Sequence, residues 1–135
     1  GSATLNVSVS VRLSGQLDDA ALRAALNELV RRHETLRTTF VEQDGRPFQQ
    51  IASTLELPLD VVALREEQVQ ERLHAEARRP FDLENGPLLH AVLFRLAAEE
   101  HVLLLSLHHI ITDGWSMGVL VREVSELYAA FVAGR

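Results

Sequence analysis

The sequence contains no cysteine and no lysine. Without cysteine, a disulfide scaffold, a cysteine nucleophile and a thiolate metal site are excluded. All thirteen basic residues are therefore arginines, and catalysis by a lysine amine is excluded as well. Nineteen acidic residues outnumber them and give a net charge of −6, so the chain lacks the basic surface that nucleic-acid binding requires.

Long apolar runs are also missing, and no stretch approaches the roughly 18 apolar residues of a membrane span. Gly1-Ser2 resembles the remnant of a cleaved expression tag, and no export signal follows it. With neither cysteine nor such a signal, we expect a cytoplasmic protein. The 135 residues, 47% of them hydrophobic, suit one domain or part of a larger one.

Hydrophobic periodicity predicts a layered fold. Residues 5–13 alternate strictly between apolar and polar, which is typical of a strand with one buried face. Residues 102–107 are apolar on both faces, which predicts a central strand covered on each side. Asp18 is the predicted N-cap of the first helix. The predicted strands are 5–13, 37–43, 47–52, 59–63, 88–96 and 101–109, and the predicted helices are 19–33, 66–78 and 115–133. This βαβββαββα order indicates an α/β (α+β) two-layer sandwich with a mixed sheet.

The candidate site lies where the last strand meets the last helix, in residues 107–116, which read Leu-His-His-Ile-Ile-Thr-Asp-Gly-Trp-Ser. Alternation along a strand sends His108 and His109 to opposite faces, so the two cannot do the same job. Asp113 is the predicted N-cap of the following helix, and Gly114 allows a tight turn. Amides at that helix start could also hold developing negative charge.

Simpler interpretations apply to the same residues. A histidine at a strand end is more often structural than catalytic, and Asp-Gly is usually a turn. No metal site is expected, because neighbouring strand histidines diverge and no further ligands have suitable spacing. A serine triad is not favoured either, because Ser116 lacks a Gly-x-Ser-x-Gly elbow.

Two further segments have ordinary structural interpretations when each is considered alone. Residues 32–40 read Arg-His-Glu-Thr-Leu-Arg-Thr-Thr-Phe, which by itself suits a helix end passing into a strand. Residues 80–89 read Pro-Phe-Asp-Leu-Glu-Asn-Gly-Pro-Leu-Leu, which by itself is a loop feeding a strand. The sole tryptophan, Trp115, would ordinarily be a packing residue.

The three segments resemble the motifs of nonribosomal peptide synthetase condensation domains. Residues 108–114 match His-His-x-x-x-Asp-Gly, residues 32–40 match Arg-His-Glu-x-Leu-Arg-Thr-x-Phe, and residues 80–89 resemble Phe-Asp-Leu…Gly-Pro-Leu. The departures are Leu107 for the usual Met and Thr112 for the usual Ser. The family's first motif, Ser-x-x-Gln-x-Arg, is missing.

The resemblance implies a fold and a boundary. Condensation domains are much longer and consist of two lobes related to chloramphenicol acetyltransferase, with the active tunnel between them. Residues 3–135 therefore resemble the N-terminal lobe alone, with the C-terminal lobe absent and residues 1–2 left from a tag.

The resemblance also implies a reaction: peptide-bond formation between two thioesters carried on the 4′-phosphopantetheine arms of an upstream and a downstream carrier protein. No cofactor or metal would be bound directly, and an adenylation domain would belong to the same parent chain. His109 would be the catalytic residue, as general base or positioning group, because imidazole has an unperturbed pKa of about 6.5.

Supporting roles follow from the same resemblance. His108 would be structural, Gly114 would let the thioester approach the backbone, and Asp113 would orient its loop through a buried arginine. That arginine is either Arg37 or one in the absent lobe.

Alternatives remain at this point. Coenzyme A-dependent acyltransferases share His-x-x-x-Asp-Gly, although the segment at 32–40 favours the synthetases. Epimerisation domains share the histidines, although Gly-Trp-Ser favours condensation. A non-catalytic docking or recruitment lobe is the third alternative, against which both retained histidines count. We expect the chain alone to fold, to be inactive and to form a homodimer through its uncovered face.

Overall fold

The computed structural model describes residues 6–112 and 115–134. Its element order is the predicted βαβββαββα. The strands are β1 (Asn6–Ser14), β2 (Thr38–Gln43), β3 (Arg46–Ile51), β4 (Leu59–Ala63), β5 (Leu89–Ala97) and β6 (Glu100–His108); the helices are α1 (Asp19–Arg32), α2 (Val69–Ala77) and α3 (Met117–Val132). Short 3₁₀ turns cover Glu34–Arg37, Glu66–Gln68 and His109–Ile111.

The main sheet has four strands in the order β1-β6-β5-β4. Strand β6 runs antiparallel to both of its neighbours, whereas β4 and β5 are parallel, so the sheet is mixed. Strands β2 and β3 form a separate antiparallel hairpin around Asp44 and Gly45. The predicted central position of the 101–109 strand is confirmed.

Both faces of the sheet are covered, and β6 supplies side chains to each. Its odd-numbered leucines, such as Leu105, pack with α1 and α3 in the larger core. Its even-numbered Val102 and Leu104 pack with Val69 of α2 in a smaller cluster. The α/β class and the mixed sheet are confirmed, and α2 adds a short layer on the second face.

Side-chain caps fix the starts of the two long helices. The Asp18 carboxylate accepts from the Ala21 amide at 3.0 Å, as predicted. Helix α3 begins at Met117, and its cap is Ser116, whose Oγ accepts from the Val119 amide at 3.0 Å. The prediction that Asp113 caps this helix is wrong, because an N-cap side chain reaches only the second or third helical amide. Asp113 itself lies outside the described residues.

Within residues 6–112 and 115–134, no helix combines the length and apolarity needed to traverse a lipid bilayer.

Candidate active site

The two adjacent histidines have opposite environments at the end of β6. His108 is the last residue of the strand and is only 2% exposed, whereas His109 begins the 3₁₀ turn and is exposed. The predicted contrast between a buried His108 and an accessible His109 is confirmed, although the strand ends one residue earlier than predicted, at His108. Only the second imidazole is open to a reactant.

Two hydrogen bonds hold His108, one through its ring Nδ1 and one through its backbone amide. Its Nδ1 accepts from the Ile110 amide at 3.1 Å, and its own amide donates to the Leu88 carbonyl at 3.0 Å. Burial lowers the pKa of His108, and neighbouring His109 lowers it further. A neutral ring whose Nδ1 accepts must carry its proton on Nε2. His108 therefore fixes the turn that follows it.

The backbone of His109 is fixed while its side chain stays accessible. Thr112 closes the turn twice onto the His109 carbonyl, with its amide at 3.1 Å and its hydroxyl at 2.7 Å. Ile110 beside it is 40% exposed, so apolar surface adjoins the accessible ring. The arrangement presents one imidazole on a rigid strand end.

The segment at 32–40 reaches the same place from α1. The His33 ring meets the Trp115 ring edge-on, with centroids 4.7 Å apart, and its Nε2 lies 2.9 Å from a carboxylate oxygen of Glu123. The Trp115 indole N–H donates to Thr35 Oγ at 3.1 Å. Sequence analysis identified Trp115 only as packing, because no local pattern indicates a partner 80 residues away.

The segment at 80–89 reaches the end of β6 as well, next to the segment at 32–40. Phe81 is buried, stacks on His90 with centroids 4.0 Å apart, and meets His108 edge-on at 6.0 Å. The Phe40 amide donates to the Leu83 carbonyl at 2.7 Å. All three motif segments therefore meet at the carboxyl end of β6.

His90 is a titratable residue that sequence analysis missed. Burial, together with the charge of Arg79, lowers the pKa of His90 to about 4. The ring lies directly across the strand pair from Ser106, on the face that also carries His108. The only sequence signal was a lone histidine in an apolar strand.

Arg37 has a structural position that the sequence did not reveal. Its guanidinium donates to the carbonyls of Val30 at 3.1 Å, Arg31 at 3.4 Å and Ala52. The side chain thus satisfies carbonyls at the end of α1, where cations are favoured, and ties them to the end of β3. Asp113 and Gly114 lie outside the described residues, so the predicted Asp113 pairing and the role of Gly114 remain predictions.

No three His, Cys, Asp or Glu side chains within 6–112 and 115–134 are grouped in a way that could hold a metal ion. The accessible titratable side chain at the end of β6 is the imidazole of His109, whose backbone is fixed by hydrogen bonds of Thr112 and of the neighbouring His108 ring. Such a group can accept a proton or orient an amine.

Comparison with known proteins agrees with this geometry. The chain is 48% identical over 141 residues to the chondramide synthase of Chondromyces crocatus; the match covers 99% of the chain and 4% of that protein. It is 45% identical over 136 residues to a dimodular nonribosomal peptide synthase of Bacillus subtilis, a match that covers 99% of the chain and 6% of that protein.

Solved structures match over nearly the whole chain as well. The X-domain in its complex with OxyB from teicoplanin biosynthesis is 39% identical, with a TM-score of 0.88; the match covers 97% of the chain and 29% of the X-domain chain. The first condensation domain of the CDA synthetase is 26% identical, with a TM-score of 0.85; the match covers 99% of the chain and 36% of that domain.

The chain thus spans about a third of these structures and a few per cent of the synthases. The family described as Condensation domain matches residues 1–135. With its three motif segments meeting around one exposed histidine, this chain belongs to the condensation-domain family.

Proposed function

We propose that the protein containing this chain forms peptide bonds between two thioesters held on the 4′-phosphopantetheine arms of carrier proteins. The amine of the downstream aminoacyl thioester attacks the carbonyl carbon of the upstream thioester. A C–N bond forms, the C–S bond breaks, and the upstream arm leaves as a thiol. The amine loses one proton, and the departing sulfur requires one.

His109 is the residue that meets this requirement in our proposal. Its accessible imidazole accepts the amine proton as the new bond forms, and the protonated ring can return that proton to the thiolate. The observation that carries the proposal is the contrast within the pair: His108 is buried with its Nδ1 occupied, while His109 is exposed on a fixed backbone.

Residues 3–135 act, in this proposal, as the N-terminal lobe, and a C-terminal lobe completes the tunnel in which the thioesters meet. Two carrier proteins and an adenylation domain are the partners. The matched coverage of 29% and 36% in solved relatives supports this division. The chain alone is expected to be inactive, because half of the substrate-binding walls would be absent.

The test is His109→Ala in a full-length condensation domain carrying this sequence. We expect condensation to fall at least about 100-fold, the usual scale for a general base or positioning group. His74→Ala is the matched control, because His74 is exposed on α2, which packs on the other face of the sheet. The assay supplies two loaded carrier proteins and measures the amide product.

The pH profile separates the two roles of His109. A general base gives a rate that falls at low pH in the wild type, and this limb disappears in the alanine variant. A positioning group leaves the limb in place. A folded His109→Ala domain that condenses at the wild-type rate would contradict either role.

A recruitment lobe is the second candidate, because the X-domain at 39% identity is seen in a complex with OxyB. That function predicts binding of a partner enzyme and no condensation by the wild-type full-length domain. Retention of both histidines, with His109 accessible, favours condensation. The synthases among the relatives favour it over the coenzyme A-dependent alternative.

A further inference from the structure

We propose that His33, Thr35, Trp115 and Glu123 form an indole clamp that positions His109 for reaction. The kinetic part of this inference rests on the proposed function, whereas the clamp itself rests on contacts within the chain. The four residues come from three places: the end of α1, the 3₁₀ turn after it, and the start and first turns of α3.

The clamp holds the Trp115 indole in two independent ways. The His33 ring packs edge-on against it at 4.7 Å and 74°, and Thr35 accepts its N–H at 3.1 Å. Glu123 in turn holds His33 Nε2 at 2.9 Å. The ring can neither slide nor rotate without losing one of these contacts.

A series of hydrogen bonds connects the clamp to the reactive residue. The Trp115 amide donates to the Thr112 carbonyl at 2.9 Å, and Thr112 closes onto the His109 carbonyl with its amide and hydroxyl. Movement of the indole is therefore transmitted to the turn that carries the exposed imidazole. None of these contacts involves a residue outside the described ranges.

The partial exposure of the clamp side chains indicates that they contribute more to positioning His109 than to the stability of the fold. The side chains of His33 and Glu123 are 32% and 31% exposed, and a hydrogen bond at such a site contributes only about 1 kcal/mol to stability. Positioning errors are costlier, because a misplacement of about 1 Å can reduce a reaction rate 100-fold. We therefore expect clamp variants to lose rate while keeping most of their stability.

The first experiment uses Trp115 as the reporter, since it is the only tryptophan of the 135-residue chain. Thr35→Val removes the hydrogen-bond acceptor, and Glu123→Gln removes the charge facing His33. We expect acrylamide to quench indole fluorescence at least about twofold more strongly in both variants. Matched controls are Thr54→Val in an exposed loop and Glu126→Gln on an exposed part of α3, both expected at the wild-type value.

The second experiment measures condensation kinetics with the same variants in the full-length domain. Thr35→Val is expected to lower kcat about tenfold with KM for both carrier proteins unchanged, and Thr35→Ser, which keeps the hydroxyl, should restore kcat. A change in KM alone, or failure of Thr35→Ser to restore kcat, would overturn the positioning role.

The two experiments test the proposed function and the clamp independently. If the wild-type full-length domain does not condense, the proposed function fails, and quenching alone decides whether the clamp exists. Quenching in Thr35→Val equal to that in Thr54→Val would overturn the clamp whatever the kinetics show.

Discussion

At the scale of single residues, burial lowers the pKa of two imidazoles, those of His90 and His108. His90 and His108 lie on the same face of the sheet, between its strands and α2, and desolvation lowers the pKa of both. Keeping these rings neutral allows them to stack with Phe81 and to accept a backbone amide. The same desolvation makes them sensitive to acid.

We predict that the stability of the chain falls as the pH decreases from about 6.5 to about 4. In the unfolded chain His90 takes up a proton near its ordinary pKa, whereas in the fold it resists protonation until about 4. The unfolded state therefore binds more protons throughout this window, and the free energy of unfolding decreases with falling pH. A difference of roughly 2.5 pKa units sets an upper limit of about 3 kcal/mol for His90, which solvent screening of the partly buried ring reduces.

Urea unfolding of His90→Gln at several pH values tests this prediction. The variant should show a clearly shallower loss of stability between pH 6.5 and 4.5, whatever its stability at pH 7.5. His74→Gln, on an exposed part of α2, should keep the wild-type slope. Glu28, whose pKa its two arginine partners lower to about 2, loses its stabilising contribution as the unfolded carboxyl protonates near its ordinary pKa, and this background is the same in wild type and variants. Equal slopes in His90→Gln and wild type would contradict the assignment.

At the scale of elements, the loop before β5 is held against β2 by a close approach at one glycine. Gly86 has φ +65°, and a Cβ built there would lie 2.8 Å from the Thr39 methyl. The neighbouring Phe40–Leu83 hydrogen bond keeps loop and strand at this spacing. Gly86 is therefore required both by its backbone conformation and by the lack of space.

We predict that Gly86→Ala destabilises the chain by about 2 kcal/mol or more, because left-handed strain adds to the clash. Gly45→Ala is the matched control: φ is +76°, but nothing lies within 4 Å, so it should cost only the strain, about 1 kcal/mol. Thr39→Ser removes the methyl group that would clash. The double variant Gly86→Ala, Thr39→Ser should therefore lose less free energy of unfolding than the two single variants lose together. Additive losses in thermal or urea unfolding would contradict this contact.

The helices and strands could be predicted from sequence because the spacing of hydrophobic residues differs between the two kinds of element. Alternation located β1, a continuous apolar run located the central β6, and apolar stripes located α1 and α3 to within about two residues. The predicted N-cap of α3 was wrong because two residues that commonly cap helices, Asp113 and Ser116, precede the same apolar stripe. Local pattern does not decide between them; the observed helix start does.

The site could be predicted only in part, for a different reason. Strand alternation predicted different environments for His108 and His109, and in the structure the turn that begins at His109 produces this difference. The contacts of Trp115 with His33 and Thr35, and of Phe81 with His90, join segments that no local period relates. Motif resemblance placed these segments in one family, but their meeting point is a property of the packed fold.

At the scale of the whole molecule, exposed apolar side chains lie next to the accessible histidine and on the neighbouring hairpin. Ile110 is 40% exposed, and Ile51 on β3 is 46% exposed on the hairpin face that carries Thr38. Thr38 and Ile110 line one shallow cavity, so Ile110 lies beside the hairpin that carries Ile51. In the proposed two-lobe arrangement this surface would meet the other lobe.

We predict that the 135-residue chain self-associates through this surface, because exposed apolar patches of a few hundred Å² tend to find a partner. Sedimentation velocity should show a concentration-dependent dimer, favoured by twofold symmetry. Ile110→Asp and Ile51→Lys should shift the chain to monomer. Val61→Lys is the control, because Val61 is similarly exposed, at 38%, on β4 at the far edge of the sheet.

Self-association should not restore chemistry, since a second copy presents the same residues and not the complementary walls that orient two thioesters. The dimer should therefore form no amide from loaded carrier proteins. A chain that stays monomeric at high concentration would remove the association surface. Amide formation by the chain that is lost in His109→Ala would instead show that one lobe suffices for catalysis, because the reaction would then depend on an imidazole that this chain alone supplies.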